Sequence, residues 1–142
     1  MTMTPNEYQA LAAVTEFTPD FVRLSGVPEA ERTPEQAAHD FMVAQLLHAV
    51  LGLASETGEI ADALKKHIIY GKALDEINIL EENGDLAWYQ ALALRAVKKG
   101  FEEAMERNIA KLKARYGDKF TAHAALNRDL DKERAAMEGQ TP

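Results

Sequence analysis

The chain contains no cysteine. Disulfide bridges, thiolate metal sites and a cysteine nucleophile are therefore excluded. Basic residues are in the minority: 16 Lys and Arg stand against 23 Asp and Glu, for a formal charge of −7. A phosphate-backbone binder carries the opposite balance, so no nucleic-acid partner is expected. No stretch alternates at period two with β-branched residues, so strands are not expected. No apolar run approaches the ~18 residues that span a bilayer. The opening, Met1-Thr2-Met3-Thr4-Pro5, has neither the basic start nor the apolar segment of a secretion signal. Those absences lead to the expectation of a cytoplasmic protein with no membrane partner. No internal repeat or low-complexity segment is present.

The 142 residues, 46% of them hydrophobic, suit one domain with a real core. Thr4-Pro5 opens a helix, with a capping hydroxyl followed by proline at the first helical position. This helix is expected to reach about Phe17. Residues 18 to 33 carry Pro19, Gly26 and Pro28 among polar residues and read as a loop or arm. Thr33-Pro34-Glu35-Gln36 restarts the chain as a capping box. The second helix should run to about Tyr70, where Gly71 can end it. Asp75 can cap a third helix to about Lys99, closed by Gly100. A fourth spans about Glu102 to Tyr116, and Asn127 to Glu138 can form a peripheral helix or an arm. The expected fold is all-α, a bundle of about four to five helices. Residues 1–34 would form an N-terminal short helix and arm, 35–120 the core, and 121–142 a charged tail.

Two acidic pairs interrupt this apolar scaffold: Glu56-Thr57-Gly58-Glu59 and Glu82-Asn83-Gly84-Asp85. Carboxylates three residues apart lie on one face of a helix, about one turn apart. At ~100° per residue, Glu56 borders the stripe formed by Leu46, Val50, Leu53, Ile60 and Leu64, and Glu59 lies about 60° further round. Glu82 and Asp85 fall on the same stripe as Tyr89, Leu92 and Ala96, which points both inward. Gathered acids repel and lose hydration, so they need protons or cations. Magnesium takes oxygen ligands in an octahedral shell, and carboxylates on two facing helices suit it. Solvated ion pairs are the ordinary reading of any one such pair; the inward stripe of Glu82 and Asp85 weakens that reading here. A di-iron carboxylate bundle would need Glu-x-x-His. None occurs: Gln36, Gln45, Leu64 and Phe120 precede His39, His48, His67 and His123 by three. The histidines are read as ordinary, with His48 the one to watch for base contact.

The segment Leu86 to Val97 is apolar almost all round, so it requires cover on several sides. A partner subunit is the expected cover. Asn108, Lys111 and Arg115 form a polar stripe on the fourth helix that could hold phosphate oxygens, although a solvated basic face explains that spacing better. Trp88 and Tyr89 could stack on a base; packing is the better explanation.

Taken together, Gly52-Leu53-Ala54-Ser55-Glu56-Thr57-Gly58-Glu59, Lys65-Lys66, Tyr70-Gly71, Glu82-Asn83-Gly84-Asp85-Leu86-Ala87-Trp88-Tyr89 and the Asn108–Tyr116 stretch resemble the MazG-like all-α nucleoside triphosphate pyrophosphohydrolases. The resemblance covers about Leu46 to Phe120. It implies a helical homodimer or homotetramer that cleaves nucleoside triphosphates between the α- and β-phosphates. The products would be a monophosphate and pyrophosphate, and the role nucleotide-pool housekeeping. It makes Glu56, Glu59, Glu82 and Asp85 the ligands of Mg2+, with Mn2+ a possible substitute. It places Asn108, Lys111, Arg115 and Tyr116, together with Lys66, at the substrate phosphates. Glu59 is assigned as the base that orients or deprotonates the attacking water. One departure is Asn83, where family members usually carry an apolar residue. The rival expectation is a non-catalytic helical oligomerisation or nucleotide-binding module.

Overall fold

A computed structural model describes residues 2–17 and 28–139, and among these it contains helices and no strands. The all-α expectation holds. The helices are α1 (Pro5–Ala12), α2 (Pro34–Tyr70), α3 (Glu76–Ala96), α4 (Phe101–Tyr116), α5 (Ala122–Leu126) and α6 (Leu130–Met137). Of the loop expected over 18–33, residues 18–27 lie outside the described residues, and Glu29–Glu31 form a 3-10 turn.

Local chemistry accounts for the helix ends. Thr4 and Thr33 each accept from the backbone of the third helical residue, while Glu7 and Gln36 reach back to the capping N–H. These reciprocal bonds satisfy two of the donors that a helix start leaves open. Asp75 caps α3 by accepting from the Asn78 N–H at 3.0 Å. Gly71 ends α2 at φ +66°, a left-handed conformation that costs glycine nothing.

Two ends differ from expectation. The α1 helix stops at Ala12 and tightens into a 3-10 turn, Ala13–Thr15. The α3 helix stops at Ala96, because Lys98 takes a positive φ of 58° and breaks the ladder before Gly100. The peripheral helix expected over Asn127 to Glu138 is α6, capped by Asp129, and the short α5, capped by Thr121, precedes it.

The chain forms two compact units, residues 1–99 and 100–142. In the first, α2 packs along α3 in the opposite sense, and α1 packs on α3. The seam is made of small side chains: Ala44, Ala49, Ala63, Ala91 and Ala96 are buried with Leu92. Gly52 is also buried, and a Cβ there would lie 2.1 Å from the Tyr89 ring. The axes can therefore approach closely at this crossing. In the second unit, α4 packs against α6 and α5.

At 37 residues, α2 is about 55 Å long. It is long and apolar enough to pass for a membrane span by composition, which corrects the expectation that no stretch approaches that length. Interruption by single polar residues had hidden it. Ala44, Gln45, Ala49, Gly52 and Ala63 are its buried residues.

Candidate metal centre and its surroundings

Three of the four acids come together where α2 and α3 face each other. Glu56, Glu59 and Glu82 each offer a carboxylate oxygen, and these oxygens lie within 4.8 Å of one another. Glu82 is the innermost, only 4% exposed, and accepts a 2.7 Å hydrogen bond from Asn78 Nδ2 one turn earlier. Glu56 is half-buried and Glu59 exposed. Burial raises the Glu56 pKa above its ordinary value, helped by a hydrogen bond to Glu82 and by the charges of Glu59, Glu82 and Asp85. A proton or a cation relieves that crowding.

Glu82 points inward, as its stripe indicated, whereas Asp85 is exposed. Three residues advance a helix by about 300°, so two acids at that spacing diverge by about 60° and only one can face the seam squarely. Asp85 stands outside the 4.8 Å group, yet its charge reaches both Glu56 and the phenol of Tyr8. Asn83 is exposed and donates to its own helix at the Ile79 carbonyl, 2.7 Å away. The departure from the apolar pattern is accommodated without a buried amide.

Beside Glu59 opens a cavity of about 640 Å3, lined among others by Glu59, Asp62, Lys66, Lys72, Asn78 and Glu81. Lys66 is held there by Asp62, Nζ to Oδ2 at 2.7 Å, while Lys65 takes the other carboxylate oxygen at 2.6 Å. Hydrogen bonds from both lysines hold the Asp62 pKa down to about 2. Asp62 in turn raises the Lys66 pKa, with smaller contributions from Glu59 and Asp75. Sequence reasoning passed over Asp62, although its spacing of three and four to Lys65 and Lys66 announces the pairing.

On the other side of the acids lies an aromatic group. His48, Trp88 and Tyr89 meet edge to face with centroids 5.0 to 6.1 Å apart. Trp88 Nε1 donates to Thr15 Oγ1 at 2.7 Å.

In the second unit, Asn108 is exposed, and Lys111, Arg115 and Tyr116 are half-buried on α4. Arg115 forms a two-pronged pair with Glu133 of α6, at 2.8 and 2.6 Å. Arg128 donates to the same carboxylate at 3.2 and 2.8 Å. Glu133 is 4% exposed, and hydrogen bonds from Arg115 and Arg128 hold its pKa far below the usual carboxylate range. Arg115 also lies over the Tyr116 ring, 5.4 Å from its centroid. Neither Glu133 nor its partnership with Arg115 was readable beforehand, since 18 residues separate them.

The model of the MazG nucleotide pyrophosphohydrolase domain matches residues 45–120. The chain belongs to the MazG family. The match spans both acidic pairs and the whole of α4, and a MazG domain implies a nucleotide substrate. No curated protein and no solved structure matches the chain. Membership supports nucleotide pyrophosphohydrolase activity.

Proposed function

We propose that this MazG-family protein hydrolyses ribo- or deoxyribonucleoside triphosphates to a monophosphate and pyrophosphate with magnesium, manganese being able to substitute. The observation that carries the reading is the convergence of Glu56, Glu59 and Glu82 at the α2–α3 seam. Three carboxylates and the nearby Asp85 offer only hard oxygen donors, which fits magnesium and not a soft metal. Glu56, Glu59 and Glu82 would hold the ion, with Asp85 joining from the rim. A divalent ion bound there neutralises phosphate charge and lowers the pKa of water.

The chain's own groups divide the remaining work. Buried Glu82, fixed by Asn78, anchors the site, while exposed Glu59 faces the cavity where water can approach. Glu59 takes the proton as water adds to phosphorus. The α–β bridging P–O bond breaks, and pyrophosphate leaves with the electron pair. Lys66, held by Asp62, sits in the same cavity and supplies positive charge toward the phosphates. Asn108, Lys111, Arg115 and Tyr116 are assigned to substrate by family resemblance; within its own unit Arg115 is paired with Glu133.

A panel of ribo- and deoxyribonucleoside triphosphates with magnesium, scored for pyrophosphate against phosphate release, tests this. Pyrophosphate release that vanishes in Glu59→Gln and Asp85→Asn is expected. Full activity in both variants would sink the site.

A further inference from the structure

The N-terminal segment lies outside the matched family domain, yet it is fastened along α3. Gln9 is buried and donates to the carbonyls of Ala91 (3.3 Å) and Lys99 (2.9 Å). Glu16 pairs with Arg95 at 2.8 Å and accepts from Gln45 at 3.3 Å. Thr15 accepts from Trp88. Next to Gln9, the Tyr8 hydroxyl donates to the carbonyl of Gly84, 3.1 Å away. Gly84 stands between the two acids of the second pair.

That turn is the weakest of α3 by composition. A glycine inside a helix costs roughly 1 kcal/mol against alanine. Asn83 adds to the effect by bonding the Ile79 carbonyl, a local bond of the kind that competes with the helical ladder. Glu82 and Asp85 need fixed separation and direction to act together, and they are carried on the backbone least able to fix itself. The Tyr8 bond supplies a constraint there from a second helix.

We propose that Tyr8 is a positioning residue for the acidic turn of α3, holding Gly84 so that Glu82 and Asp85 keep the geometry a divalent cation requires. The proposal rests on the metal reading above. It gives the N-terminal helix a role in the site without contact to substrate.

Tyr8→Phe keeps the ring and removes only the donor. Mn2+ binding to the full chain without nucleotide, measured by electron paramagnetic resonance, is the readout, alongside the melting temperature. Gln9→Ala, which loosens the helix away from the acids, is the comparison. In Tyr8→Phe the Mn2+ Kd should rise about 3- to 10-fold with little change in Tm. In Gln9→Ala the Tm should fall with a smaller change in Kd. With nucleotide and magnesium, Tyr8→Phe should lower kcat and leave the nucleotide KM within twofold. A Tyr8→Phe Kd within twofold of wild type overturns the proposal and leaves the metal site standing. Proportionate losses of Kd and Tm in both variants overturn it in favour of a merely structural role. A wild-type chain that binds no Mn2+ overturns the metal reading and the proposal together.

Discussion

At the residue scale, the three gathered carboxylates differ in exposure, and that difference sets their expected roles. Glu59→Gln should lower pyrophosphate release by about 10²- to 10⁴-fold, the usual contribution of a positioned base, at nearly unchanged Tm. Rates and melting curves on the same preparation check this. Glu133 makes the contrasting case, because it stands apart from the gathered acids and is paired with Arg115 and Arg128. Its folded pKa lies below the ordinary 4.5, so its contribution to stability is complete above that value and is lost as pH falls below it. Glu133→Gln should therefore lower Tm at neutral pH, and the gap to wild type should narrow progressively as pH falls below 4.5. A gap independent of pH would refute the ion-pair account. The inward aim of Glu82 was legible in the sequence, since a residue on an apolar stripe is committed to the core. The outward aim of Asp85 was obscured because a stripe has width. Tyr8 and Glu133 were illegible, because each acts through a partner on another helix and no short-range spacing records that partnership.

At the element scale, the sequence announces where helices begin far better than how they pack. The two capping boxes and the Gly71 stop lie where Thr4, Thr33 and Gly71 put them, because each satisfies local backbone groups with local atoms. The end of α3 was missed by three residues, since Lys98 adopts a conformation that glycine usually takes and nothing in its side chain signals it. The closeness of α2 and α3 was hidden as well: a buried glycine is visible as a glycine, but its ring partner is not. Gly52→Ala would place a Cβ 2.1 Å from Tyr89, against a ring already braced by His48 and Trp88. Such overpacking should destabilise the chain by about 1–3 kcal/mol. Tyr89→Ala in the same chain should absorb part of that loss, and denaturant titration of the single and double variants measures the coupling.

At the scale of the whole molecule, α2 and α3 expose large apolar side chains. Val50 is 60% exposed, Leu51 62% and Ile77 74%, with Val43 and Leu47 nearby on α2. Val43, Leu47, Val50 and Leu51 follow a helical spacing and form one stripe. Contiguous exposed apolar surface marks an interaction face, which supports the expected homodimer or homotetramer. The chain should sediment above its 15.7 kDa mass at micromolar concentration, and Val50→Lys with Leu51→Lys should return it to monomer. A wild-type monomer at those concentrations would refute the assembly.

The alanine seam has one consequence for the choice of ion. Oxygens on two rigid helices can close around a cation only as tightly as their axes allow. Magnesium asks for contacts of about 2.0–2.1 Å and calcium accepts about 2.3–2.6 Å. Buried Ala63 lies one turn beyond Glu59 and helps keep those axes near. On the magnesium reading proposed above, the smallest side chains of the seam would set the ionic-radius selectivity. Ala63→Val should act as a wedge, weakening magnesium relative to calcium, and competition of the two ions for the site measures the shift.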